Sequence, residues 1–157
     1  MSEAAATQQP SFNVEKLYVK DLSLEVPHAP GVFLERESPQ IDLQMHTQAS
    51  TIEDGVYEVV ITVTVTAKLL EKDKVLFLIE AKQAGIFRIQ NLPQEELDSV
   101  LGAVCPNILF PYLREVISNV SVRAGFAPIL LSPVNFDMLY QQKLQQQQAE
   151  AAPVTTH

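Results

Sequence analysis

The chain has 157 residues with 11 Lys and Arg against 19 Asp and Glu, a net charge of -8. That balance repels phosphate backbones and anionic lipid, and so argues against nucleic acid as a partner. Hydrophobic residues make up 46% and charged residues 19%, an apolar surplus that needs a core, a subunit interface or a binding surface to occupy. Arg, Lys, Glu or Pro interrupts every apolar run before the roughly 20 residues a membrane span requires, so direct membrane insertion is not expected. The opening MSEAAATQQPS has neither a basic cluster nor an apolar run, and the single Cys105 allows no intrachain disulfide. Both point to a cytoplasmic protein. One domain over residues 11–147 is expected, between mobile tails at 1–10 and 148–157 whose small polar residues lack apolar periodicity.

Phe12 to Val26 reads as a first strand whose apolar phase slips from Val14 to Leu17 and back at Leu22, the mark of a bulge or bend. In its second half Leu22, Leu24 and Val26 point inward, and Asp21, Ser23 and Glu25 point outward. PHAPGVFLERESP, with Pro27, Pro30 and Pro39, follows as an extended crossover loop carrying Val32, Phe33 and Leu34. From Gln40 to Ala49, Ile41, Leu43 and Met45 alternate with Asp42, Gln44 and His46, the period of a strand with one buried face. Asp54-Gly55 turns the chain into a long β-branched strand, Val56 to Leu70, apolar at Val59, Ile61, Val63 and Val65. After a charged turn, Val75 to Ala84 pairs back as a hairpin. Beyond Pro93 the spacing becomes helical. Asn107 is expected to cap a helix running to about Val122 and stopped by Gly125, and Asn135 to cap a last helix striped by Phe136, Leu139, Tyr140 and Leu144.

Four antiparallel strands followed by helices define an α+β domain with the helices on one sheet face. The other face collects Asp21, Glu25, Asp42, Glu58 and Glu80 among threonines, against Lys68 and Lys82. No chemistry-bearing constellation accompanies it. Cys105 stands in an apolar setting without a nearby His and reads as a packing residue. His28 and His46 are isolated, no ligand spacing suits a metal, and five glycines build no phosphate loop. No catalytic residues, metal or cofactor are expected.

Three segments resemble one family. DGVYEVVITVTVTA followed by QAGIF, LGAVCPNILFPYLRE, and LSPVNFDMLY are similar to segments of the SecB export chaperones, and the opening YVKDLSLEVPHAPGVF is similar to that family's first strand and loop. The resemblance runs from about Phe12 to Leu144. It implies a homotetramer, built as a dimer of dimers, that holds unfolded precursor proteins and delivers them to the SecA translocase motor without catalysis. It further implies motor contact at Asp21, Glu25, Leu78 and Glu80, positions that alternation alone also places outward. For the contact between dimers it implies Phe77, Ile79, Ala81 and Gln83. For clients it implies a groove of Val32, Phe33, Leu34, Ile41, Leu43, Met45, Phe136, Leu139, Tyr140 and Leu144. The chain departs from some relatives in lacking Trp and any aromatic between Phe33 and Tyr57, which weakens one aromatic subsite. Two other readings stand beside this one: a SecB-like chaperone serving a toxin-antitoxin system, and a small-ligand carrier enclosed by sheet and helix.

Overall fold

The computed structural model describes residues 8–151. Four strands, β1 (Ser11–Glu25), β2 (Gln40–Glu53), β3 (Val56–Leu69) and β4 (Lys74–Gln90), form one antiparallel sheet in the spatial order β1-β4-β3-β2. Three helices follow, α1 (Gln94–Ser99), α2 (Cys105–Arg123) and α3 (Phe136–Ala151). This is the α+β architecture expected from the change of period at Pro93. The β2–β3 hairpin turns at Gly55, whose φ of 77° suits a residue without Cβ.

Register makes the sheet two-faced. Val63 lies opposite Ala81 and Met45, Val65 opposite Ile79 and Leu43, and Ala67 opposite Phe77 and Ile41. Directly opposed side chains leave the same face of an antiparallel pair. The inner face, built from the odd positions of β3 and β4, is enclosed: Val59, Ile61, Val63, Val65, Ile79 and Phe87 are fully buried against Leu109, Leu113 and Ile117 of α2. At Gly85 the helix comes closest. A Cβ there would stand 2.9 Å from Phe87 and 3.0 Å from Leu109.

Both β1 irregularities fall where the apolar phase slips. The register shifts between Val14 and Lys16 and again between Val19 and Asp21. The skipped residues, Glu15 and Lys20, each form an ion pair, Glu15 with Arg88 on the adjacent β4 and Lys20, across β4, with Glu58 on β3. The bulges therefore turn two charged side chains onto partners that a regular strand would present elsewhere.

Several boundaries differ from the sequence reading. β2 continues past Ala49 through Ser50–Glu53, because an edge strand needs no apolar alternation to keep its backbone paired. β4 continues through Ala84, Gly85 and Arg88 to Gln90, where the small residues that blur the period are the ones that admit Leu109. Asn107 is not a cap. α1 passes through a π-helical turn, Val100–Val104, directly into α2, and the Cys105 N–H donates to the Val100 carbonyl. Pro106 cannot donate and crowds the preceding turn, which a local widening relieves. The helical span Gln94–Arg123 is 30 residues long and contains a window of mean hydropathy 1.3, enough by length and composition to cross a bilayer. Here Leu109, Leu113 and Ile117 spend that apolarity on the sheet. Gly125 ends α2 as expected, with φ 93°. The Asn135 carboxamide oxygen accepts the Met138 N–H at 3.0 Å and caps α3. α3 itself runs to Ala151, past the expected boundary at Gln147. Of the two tails expected to be mobile, residues 1–7 and 152–157 lie outside the described residues.

Gly85→Val is expected to lower stability by about 1–3 kcal/mol through overpacking against Leu109 and Phe87, as read by urea unfolding. A wild-type midpoint would show that α2 does not press on this strand.

Candidate functional site

The loop after α2 determines where α3 lies. The Ile129 N–H donates to Ser121 Oγ at 2.9 Å, Arg114 Nε donates to the Leu131 carbonyl at 3.2 Å, and the Leu131 side chain is buried. The Arg114 guanidinium lies 5.0 Å over the Phe110 ring, and Phe110 meets Phe136 edge-on at 5.7 Å. Phe136 thus roots α3 in the core, while one turn later Tyr140 rests on Gly102. A Cβ at Gly102 would fall 2.5 Å from that ring, so the close approach requires glycine.

Between α3, the π turn and the inner side of β2 lies a groove of about 590 Å³. Met45, His46, Thr47, Gln48 and Ala49 form one wall, Leu101 and Gly102 the floor, and Phe136, Leu139, Tyr140, Lys143, Leu144 and Gln147 the other wall, with Asp98 at the rim. Burial, followed by the Asp98 and Glu95 carboxylates, pushes the Tyr140 phenol above its usual range. It therefore stays a neutral, amphipathic wall at physiological pH.

Of the expected client residues, Met45, Phe136, Leu139, Tyr140 and Leu144 come together here. Ile41 and Leu43 do not line the groove, but they are the preceding inward positions of β2 and are 40% and 42% exposed. They continue it as a stripe of roughly 14 Å, four strand rises. At its far end Val32 is buried, and Phe33 stacks on Phe126 at 5.4 Å, itself stacked on Phe77 at 4.7 Å. Leu34 points away and is 84% exposed. Sequence reasoning missed Leu101 and Gly102. Helical spacing gave them no separate signal, because their exposure depends on the unforeseen π turn.

Phe77, Ile79, Ala81 and Gln83, expected between copies, are 2%, 0%, 1% and 4% exposed within a single chain. They share the parity of the helix-covered face and lie beneath α2. Gln83 Oε1 finds no hydrogen-bond partner among the described residues, a cost of about 1–3 kcal/mol. The uncovered apolar residues lie elsewhere, with Val19, Leu22 and Leu24 of β1 and Tyr112 and Val122 of α2 all at least 37% exposed.

On the outer face, Glu25 lies opposite Leu78, Ser23 opposite Glu80, and Asp21 opposite Lys82. The four expected motor residues therefore form one patch on two adjacent strands. In the middle of β1, next to this patch, the Tyr18 hydroxyl and the Lys20 ammonium both donate to Glu58, the latter at 2.7 Å. Lys20 and then Tyr18 hold the Glu58 carboxyl below the usual range, while burial, followed by Glu58, pushes the Tyr18 phenol to about 12. Burial likewise pushes the Cys105 thiol to about 12, so no thiolate nucleophile is available near neutrality. Among the described residues, no group of three His, Cys, Asp or Glu side chains could hold a metal ion.

The fold and its surfaces define a binding protein, a half-covered antiparallel sheet with an apolar groove on one side and an acidic patch on the other. The family model for preprotein translocase subunit SecB matches residues 5–147, and the chain belongs to the SecB family. It is 64% identical to the protein-export protein SecB of Nitrosomonas eutropha over 93% of this chain and 91% of that one. With the SecB of Thiobacillus denitrificans it shares 57% identity over the full length of both. Among solved structures it resembles the SecB-like chaperone of Mycobacterium tuberculosis in complex with a ChAD peptide from the HigA1 antitoxin, with a TM-score of 0.64 and 15% identity over 78% of this chain and 90% of that one. That likeness is one of fold.

Because its folded-state pKa is lowered, Glu58 contributes stability that is fully present above the ordinary carboxylate range and is lost as pH falls through the lowered value. Glu58→Gln is therefore expected to reduce the melting temperature by about 2–4 °C at pH 7, with the difference from wild type shrinking in acid. Calorimetry across pH checks this, and a pH-independent difference would overturn it.

Proposed function

We propose that this chain is a cytoplasmic protein-export chaperone that holds precursor proteins unfolded, works without catalysis, and assembles as a homotetramer. The observation that carries the reading is the uncovered apolar stripe from Ile41 through Leu43 and Met45 into the groove beneath Leu139 and Tyr140, in a chain whose relatives are protein-export proteins. An uncovered stripe leading into a groove suits an extended polypeptide, whereas a small-ligand site encloses its guest. Each apolar client side chain buried there contributes about 1.5–3 kcal/mol before ordering costs, and several along one chain combine by avidity. A folding client escapes by burying those same side chains within itself.

Assembly has a separate physical support. Leu22 and Leu24 on the edge strand β1, with Tyr112 and Val122 on α2, leave apolar surface uncovered, and burying it against other copies removes both the area and the free strand edge. Client and partner surfaces then use opposite edges of the sheet. The antitoxin-linked reading rests on likeness of fold alone.

Leu43→Asp with Leu139→Asp is expected to weaken the holding of an unfolded precursor at least tenfold while light scattering still gives about four times the chain mass of 17.4 kDa. Undiminished suppression of precursor aggregation would sink the groove assignment, and a monomeric wild type would sink the assembly.

Delivery to the SecA motor belongs to the outer face. Asp21, Glu25, Leu78 and Glu80 pair an apolar contact with carboxylates, which suits a basic partner segment steered by charge. Glu80→Lys is expected to reduce motor affinity severalfold, most at low salt, with precursor holding unchanged. Titration calorimetry giving equal affinities for both proteins would count decisively against this surface.

A further inference from the structure

The crossover segment between β1 and β2 has two dissimilar halves. In the first, a 3-10 turn over Gly31–Leu34 is closed by the Val32 N–H donating to the His28 carbonyl at 3.0 Å and the Phe33 N–H to the Pro30 carbonyl at 3.1 Å. Val32 is buried, and Phe33 lies on Gly125, where a Cβ would stand 2.7 Å from its ring. The second half, from Glu35 to Pro39, has no apolar anchor. Its only backbone bond outside the sheet, among the described residues, is from the Glu35 N–H to the Val32 carbonyl at 3.2 Å.

What fastens this second half is charge on the β3–β4 turn. Lys72 Nζ reaches Glu35 at 2.6 Å and Glu37 at 3.7 Å, and Lys74 reaches Glu35 at 3.6 Å. The turn is itself braced, with Asp73 at φ 47° and paired with Lys68. The Glu35 side chain is only 18% exposed, while Lys72 and Glu37 are 48% and 44% exposed. We propose that Glu35 and Glu37 on Lys72 and Lys74 form an ionic latch that holds the crossover segment as a strap at the Ile41 end of the apolar stripe. Released, the strap swings away from the sheet, and the stripe extends toward the Phe33, Phe126 and Phe77 rings. Access for an extended apolar polypeptide is then controlled by charge contacts that an incoming chain does not have to break by competing for core packing. Its link to client access rests on the chaperone reading, whereas the latch itself does not.

Hydrogen exchange on the full chain tests the latch directly. Lys72→Glu faces Glu35 and Glu37 with a like charge, and is expected to speed exchange at the Glu35 amide by about 3- to 10-fold, the scale of one or two partly exposed ion pairs. Wild type in about 1 M salt should move in the same direction, because screening then acts within about 3 Å. Exchanging every sign, in E35K/E37K/K72E/K74E, should restore slow exchange. Should Lys72→Glu fail to fold, Lys72→Gln and the salt titration carry the same test. Wild-type rates in Lys72→Glu, or no restoration in the charge-swapped chain, overturn the latch. Association with reduced, carboxymethylated lactalbumin, a permanently unfolded probe, should quicken severalfold in Lys72→Glu. Faster exchange with unchanged association overturns the control of access, whereas a wild type that never binds the probe indicts the chaperone reading and leaves the exchange result standing.

Discussion

One helix has to cover a four-stranded sheet, and it is too narrow. An α-helix with its side chains is about 10–12 Å across, while strands lie about 4.8 Å apart, so a single helix on the sheet shields two strands. α2 settles over β3 and β4, whose inner residues are almost all buried, and leaves the inner faces of both edge strands only partly covered. Leu22 and Leu24 on one edge and Ile41 and Leu43 on the other are exposed because of this mismatch in width, not because the strand pattern is imperfect. A second long helix on that layer would have covered them and produced an ordinary closed domain. α3, held at Phe136 and Tyr140, instead stands against β2 with a gap between them, and that gap is the groove.

The outer face meets a different constraint. With no helix over it, its residues must tolerate water, yet a long flat sheet exposed on one side invites stacking with other sheets. Threonine at positions 62, 64 and 66 keeps β propensity without offering oil. Carboxylates and lysines on β1 and β4 add charge, and the bulges at Glu15 and Lys20 re-aim charged side chains onto Arg88 and Glu58. The same alternation that fills the core therefore leaves a chemically distinct second surface, and the two cannot be exchanged without a one-residue slip of register.

How far this was legible in the sequence depends on whether a signal was local. Alternation from Gln40 and from Val56 placed the strands and their faces, since period two is visible residue by residue. The phase slip in β1 marked both bulges in outline, although not their charged occupants. Where the deciding contact lay far along the chain, the reading failed. Ala84 and Gly85 looked like the end of a strand because their smallness serves Leu109, more than twenty residues later. Asn107 looked like a cap because nothing local announces that a π turn lets the helix run on into Pro106. The resemblance to SecB chaperones supplied candidate site residues in full, yet it assigned Phe77, Ile79, Ala81 and Gln83 to a contact between copies, while their own parity already placed them under the helix.

Gly102 connects the local oddity to the groove. The π turn spans Val100–Val104, and the glycine within it removes the Cβ that would hold Tyr140 away. Tyr140 consequently serves two surfaces at once, its ring close against Gly102 and also lining the space shared with Met45 and Ala49. A wall made this way is firm at Phe136, where the side chain is buried, and progressively less anchored toward Leu144, where polar glutamines take over. Such a gradient lets one wall adjust to side chains of different bulk while its root stays fixed. Under the proposed role in holding unfolded precursors, the groove needs that compliance at its far end, and a uniformly packed helix would not provide it.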